Sequence, residues 1–167
     1  MLVDKFSPMV YRVAVRFFGP GPEAQDASQE SFLRVHRSFH TFDPTRPLKP
    51  WLARITYNAC LKRLGKAGRA VTDTTDPEVF GRMDDERAPD PEAAAAADET
   101  GSLLLSAMEE LAAQDRVLLQ LHYREGLALA EVSEVTGMPV NTIKTRMHRA
   151  RVQLKQVLTP MLREVEA

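Results

Sequence analysis

A tryptophan and an asparagine stand among cations in RPLKPWLARITYNACLKRLGKAGR, Arg46 to Arg69, where seven Lys and Arg occur without one acid. Read as a helix after Pro50, since proline is tolerated in a first turn and no further Pro or Gly intervenes before Gly65, the stretch divides into two stripes. Leu48, Leu52, Ile55 and Ala59 recur at helical spacing and face a core. Beside them run Trp51, Arg54, Asn58 and Lys62, which offer an aromatic plane, a guanidinium, an amide that donates and accepts, and an ammonium. Such groups suit a nucleic-acid strand with exposed bases: cations for phosphates, a ring to stack or wedge, an amide for a base edge.

A second cationic pattern lies near the other end. In LALAEVSEVTGMPVNTIKTRMHRARVQLKQVL, Leu127 to Leu158, a short helix is expected, then a turn at Gly137 and a long helix from about Pro139. Val140, Ile143, Met147, Ala150, Leu154 and Val157 form its inward side. Asn141, Thr142, Lys144, Thr145, Arg146, His148, Arg149, Arg151 and Lys155 occupy the rest, with five cations and no acid. This is the order of a helix-turn-helix, whose second helix offers polar side chains to base edges and cations to phosphates.

The elements that must carry these groups are helical. Phe6, Val10, Val13 and Phe17 predict a helix over 3–18, stopped by FGPGP. A second is predicted from about Glu23 to Phe39, with Ala24, Ala27, Ser31, Val35 and Phe39 inward and Asp26, Gln29, Glu30, Leu33, Arg34 and Arg37 around the outside. TFDPTRPLKP, with three prolines, is a shaped loop. Leu103, Leu104, Ala107 and Leu111, then Val117, Leu118 and Leu121, mark two more helices. The 167 residues therefore suggest an all-α protein of two small helical domains, 1–70 and 102–167. Residues 71–101, rich in acids and proline, read as an acidic flexible linker.

The net charge of −1 hides a partition. Residues 1–71 are strongly basic, 72–100 strongly acidic and 101–167 balanced. The acidic segment is read as a solubilising tether, with a sharper alternative that it mimics nucleic acid before a basic face. The lone cysteine, Cys60, excludes an intrachain disulfide and suits a reducing compartment. No signal-peptide pattern and no membrane-length apolar run is evident, so a cytoplasmic protein without membrane insertion is expected. His36, His40, His122 and His148 show no metal-binding spacing, and no phosphate-cradling glycine loop occurs. Neither catalysis, nor a metal, nor a cofactor is expected.

Four blocks together resemble one family: DASQESFLRVHRSF (Asp26–Phe39), FDPTRPLKPWLARITYNACLKRL (Phe42–Leu64), LHYREGLALAEVSEVTG (Leu121–Gly137) and NTIKTRMHRARVQL (Asn141–Leu154). In order and spacing they are similar to bacterial alternative sigma factors of the extracytoplasmic-function (ECF) type, in the sigma-70 family, with sigma-2 and sigma-4 domains. The resemblance implies a protein that binds RNA polymerase core, directs it to promoters and assists melting. It places Phe42, Lys49, Trp51, Arg54, Asn58, Lys62 and Arg63 at the −10 element, and Asn141, Thr142, Lys144, Thr145, Arg146 and Arg149 at the −35 element. Asp26, Gln29, Glu30, Leu33 and Arg34 would meet the polymerase clamp. The implied partners are the core enzyme through its clamp and flap, promoter DNA, and a cognate anti-sigma factor.

Departures from the family's pattern are Pro139 where a serine is common before the recognition helix, Thr136 where an aliphatic residue is usual, and LAAQDR without its frequent proline. A stand-alone helix-turn-helix regulator with an N-terminal partner-binding domain explains the C-terminal half equally well. It leaves Trp51 and Asn58 unaccounted for. A mimic that sequesters a sigma factor's regulator would not require basic surfaces in both halves.

Overall fold

The computed structural model describes residues 1–65 and 98–166, and among these every regular element is helical. The N-terminal half holds α1 (Leu2–Phe18), α2 (Pro22–Ser38) and α3 (Leu48–Leu64). The C-terminal half holds α4 (Asp98–Glu109), α5 (Ala113–Leu119), α6 (Leu129–Thr136) and α7 (Val140–Glu166). The expected linker lies for the most part outside the described residues. Its last residues fall in α4, which begins at Asp98 and runs through Gly101. Packing of Ala107, Met108 and Leu111 in the core offsets the ~1 kcal/mol disadvantage of one helical glycine.

Met9, Val10, Val13, Ala14 and Phe17 bury one face of α1 against Ala24, Ala27, Ser31 and Val35 of α2. Phe39 departs from its expected inward place. The helix tightens into a 3₁₀ turn over Phe39–Thr41, which rotates Phe39 off the inward stripe and leaves it 52% exposed. Helix α3 starts at Leu48, two residues before the proline from which it was expected, because Pro50 fits inside a first turn, where its missing N–H breaks no bond.

The single apolar stripe expected on α3 is also too narrow. Leu52 and Ala59 are buried, but so are Ala53, Thr56, Tyr57 and Cys60, while Leu48 and Ile55 are only half-buried. The reason is that α3 is packed on more than one side: α1, α2 and α6 all contact it. Thus α6, from the C-terminal half, docks on the basic helix, and α5 docks on α1. The buried apolar side chains of both halves form one connected cluster.

In the C-terminal half, α4, α5 and α6 each pack on α7, which buries Ile143, Met147, Ala150 and Leu154 as its repeat predicts. After α5 the chain widens into a π turn over Gln120–Arg124, closed by Glu125 N–H donating to the Gln120 carbonyl at 3.0 Å. Gly126, at φ 72°, then reverses direction, a conformation that favours glycine. Nothing in the apolar spacing foretold this turn.

Candidate nucleic-acid and protein interfaces

The loop before α3 is shaped by its own polar groups. Thr45 donates its N–H and its hydroxyl to Asp43 Oδ1 at 2.9 and 2.7 Å, the side-chain turn that aspartate favours. Those bonds, the hydroxyl's first, hold the Asp43 carboxyl below the usual range. Arg46 N–H donates to the Asp43 carbonyl at 3.0 Å and Phe42 N–H to the Phe39 carbonyl at 3.1 Å. The loop so fixed brings three rings together: Phe42 lies 5.2 Å from Trp51, and Phe39 lies 6.1 and 6.2 Å from Phe42 and Trp51. Trp51 is half-buried, with part of its surface on the core and part on a cavity of about 480 Å³.

Phe42, Trp51, Arg54 and Asn58 line that one cavity, with Arg46 at its loop side. Four residues expected in one site are thus brought together. Lys62 is exposed beyond them on α3 and does not line it. Lys49 is turned elsewhere: its ammonium donates to the Glu125 carbonyl and lies 3.5 Å from Glu125 Oε2. Arg63 points to α2, 3.5 Å from Asp26 and 3.9 Å from Glu30. Cys60 is buried, and burial pushes its thiol up to about 12, so it is no nucleophile.

On α2 the outer face forms as expected. Asp26, Gln29 and Leu33 are exposed, Leu33 at 59%, and Glu30 pairs with Arg34 one turn on. This is a mixed face, an apolar side chain ringed by both charges, of the kind that docks protein rather than phosphate.

The turn between α6 and α7 explains two sequence departures. Gly137 adopts φ 74°, and its N–H donates to the Ser133 carbonyl at 2.8 Å. Thr136 accepts the Met138 N–H through its hydroxyl at 3.3 Å, while Ser133 Oγ donates to the Met138 carbonyl at 2.6 Å. Thr136 therefore contributes a polar brace where an aliphatic side chain would contribute packing. Pro139 opens α7 by accepting Ile143 N–H at 3.0 Å. Asn141 and Arg149 are exposed, and Thr142, Lys144 and Thr145 half-exposed. Arg146 stands apart from them: its Nε donates to Asp115 Oδ1 at 2.7 Å, and its side chain is only 14% exposed.

Sequence reasoning missed the charged junction between the halves. Glu125, its side chain 1% exposed, accepts Arg12 Nε and Nη2 at 2.8 and 3.0 Å and Gln120 Nε2 at 2.8 Å. Burial alone would raise its pKa, but the bonds from Arg12 and Gln120 and the charges of Arg12 and Lys49 lower it below the usual glutamate value. Arg16 donates to Gln120 Oε1 at 3.0 Å. Arg46 donates through Nη2 to both carboxylate oxygens of Glu134 at 2.9 and 2.8 Å. Arg12 and Arg16, one turn apart beside the buried stripe of α1, were the available signal.

A three-helix unit whose α3 lines an aromatic cavity, docked on a helix-turn-helix, has clear relatives. Residues 2–70 match the family described as Sigma-70 region 2, and residues 102–154 that described as Sigma-70, region 4. The chain is 31% identical over 164 residues to the ECF RNA polymerase sigma factor SigW of Bacillus subtilis, covering 94% of this chain and 87% of that one. It is 31% identical over 169 residues to the RNA polymerase sigma-H factor of Pseudomonas aeruginosa, covering 98% and 88%. It is 34% identical over 157 residues to the ECF RNA polymerase sigma factor SigE of Mycolicibacterium smegmatis, covering 94% of this chain and 60% of that longer protein. In fold it is similar to the sigma factor RpoE from Bartonella quintana, solved in complex with the anti-sigma factor NepR, with a TM-score of 0.70, 24% identity and 94% of each chain covered. It is also similar to CnrH, solved with the cytosolic domain of CnrY, with a TM-score of 0.62, 23% identity and 95% and 86% covered.

The chain belongs to the ECF sigma factors of the sigma-70 family. It is an alternative sigma factor, which directs RNA polymerase to promoters.

Proposed function

We propose that residues 1–70 form the domain that engages the polymerase clamp and reads the melted −10 element, and that 102–167 form the domain that reads the −35 element. The observation that carries this is the cavity in which Phe42, Trp51, Arg54 and Asn58 converge. Trp51 offers a face beside the duplex edge, Asn58 and the Phe42–Lys49 loop take an extruded base, and Arg54, Lys62 and Arg63 hold backbone phosphates. Lys49 and Arg63 reach DNA only after leaving their carboxylate partners. On α7, Asn141, Thr142, Lys144, Thr145 and Arg149 meet the duplex, with Arg146 braced by Asp115 and serving chiefly to position them. Asp26, Gln29, Glu30, Leu33 and Arg34 dock the clamp helices.

The partners so proposed are RNA polymerase core, through clamp and flap, promoter DNA, and a cognate anti-sigma factor; two structural relatives were solved with such a partner or a partner's cytosolic domain. The protein is not an enzyme, uses no cofactor and acts in the cytoplasm. No helix among the described residues is long and apolar enough to cross a membrane. The test separates two steps. Trp51→Ala and Asn58→Ala should impair promoter opening, read by permanganate reactivity of unpaired thymines, while leaving core binding intact. Asp26→Ala with Gln29→Ala should weaken core binding itself. Normal opening by the first pair would remove the strand-reading role from this cavity.

A further inference from the structure

The cavity that the proposed function assigns to a melted strand has one wall from the other half of the molecule. Glu131 and Glu134 of α6 line it together with Trp51, Arg54 and Asn58. Three residues apart on one helix, they share a face. Glu134 already holds Arg46, at the mouth, by two bonds to one guanidinium nitrogen. Glu131 Oε2 accepts the Ala128 N–H at 2.9 Å and so caps α6 while facing the cavity. The cavity's remaining acid, Asp43, is engaged by Thr45 within its own loop. Arg46, one of the two cations that line the cavity beside Arg54, therefore already meets a carboxylate, and the helix bearing that carboxylate rests on α3, along which a strand would run.

We propose that α6 is an internal stand-in for the promoter strand. Glu131 and Glu134 occupy the phosphate side of the cavity, and Arg46 exchanges a carboxylate for a phosphate when a strand enters. Docking of the C-terminal half and strand binding by the N-terminal half are then mutually exclusive, and the free protein withholds its strand-reading groups until the halves are drawn apart. The inference rests on the strand-reading role of the cavity. Its special content is that two acids of the DNA-binding unit compete directly with nucleic acid for one set of cations.

The test uses the full chain and a fluorescent 20-nucleotide single-stranded DNA of mixed sequence. Trp51, the only tryptophan, reports independently through acrylamide quenching. Glu131→Gln with Glu134→Gln preserves shape, and a glutamine at 131 still offers an oxygen to the Ala128 N–H. Surface ion pairs are individually weak, so the double variant should gain about three- to tenfold in strand affinity, with a parallel rise in Trp51 quenching. Glu109→Gln with Glu110→Gln removes the same charge from exposed positions at the last residue of α4 and the one after it and should change affinity less than about twofold, since distant charges are screened.

Equal gains from the two double variants would assign the effect to net charge and overturn the proposal. Unchanged quenching of Trp51 in the first variant would overturn it as well. Increased quenching with no strand binding by any chain would remove the strand site itself, and the competition with it.

Discussion

Replacing Glu125 by glutamine should release the two halves from one another. The carboxylate is almost fully buried and takes two hydrogen bonds from Arg12, one from Gln120 and the charge of Lys49. Removing one partner of a buried ion pair typically costs about 3–5 kcal/mol. Here Arg12 and Lys49 are 34% and 37% exposed, so water recovers part of the loss, and glutamine retains a bond with Gln120. About 2 kcal/mol remains, roughly thirtyfold in the ratio of separated to docked halves. Single-molecule energy transfer counts the separated minority directly. Gln25→Cys and Gln156→Cys place dyes on exposed sites of α2 and α7, and Cys60, buried with its thiol raised, stays unlabelled. Arg12→Ala should produce a similar separation, and the two changes together should do little more than either alone. A separated fraction within about twofold of the wild type in Glu125→Gln would refute the reasoning.

Acid should act on the same junction. The Glu125 pKa is lowered in the folded protein, so its contribution is complete above the ordinary value of 4.5 and is lost as pH falls through the lower folded value. Energy transfer should fall in that acid window in the wild type while far-ultraviolet circular dichroism still reports helix, and Glu125→Gln should lack the step. Arg149→Ala should weaken binding to promoter duplex and reduce the salt slope by about one; an unchanged slope removes Arg149 from the phosphate contacts. Gly137→Ala should destabilise the protein by about 1–2 kcal/mol in urea unfolding, because φ 74° is unfavourable for a residue with a Cβ even where space is open. Stability equal to wild type would show that the turn relaxes to another conformation.

The parts legible in the sequence are those that local chemistry determines. The repeat from Val140 to Leu154 and the glycine at 137 specify a turn and a helix side because spacing and φ are properties of neighbours in the chain. The stripe of Trp51, Arg54 and Asn58 was visible for the same reason. What remained hidden depends on contacts between distant segments. Phe39 continues the inward spacing of α2, yet its role is set by Phe42 and Trp51 across a loop. Ala53, Tyr57 and Cys60 lie outside the expected stripe because α3 packs on several helices. Glu125 reads as an ordinary surface acid beside a glycine until the π turn carries it to Arg12, 113 residues away in sequence. Arg146 was grouped with base-reading cations, since no local pattern links it to Asp115.

Run-off transcription with purified bacterial core polymerase on a genomic fragment library, with and without this protein, tests the central claim most directly. Start sites that depend on the protein and share two spaced upstream elements are the expected result. Absence of new transcripts and of core binding, with the protein alone still holding duplex DNA, would contradict it and favour a stand-alone regulator.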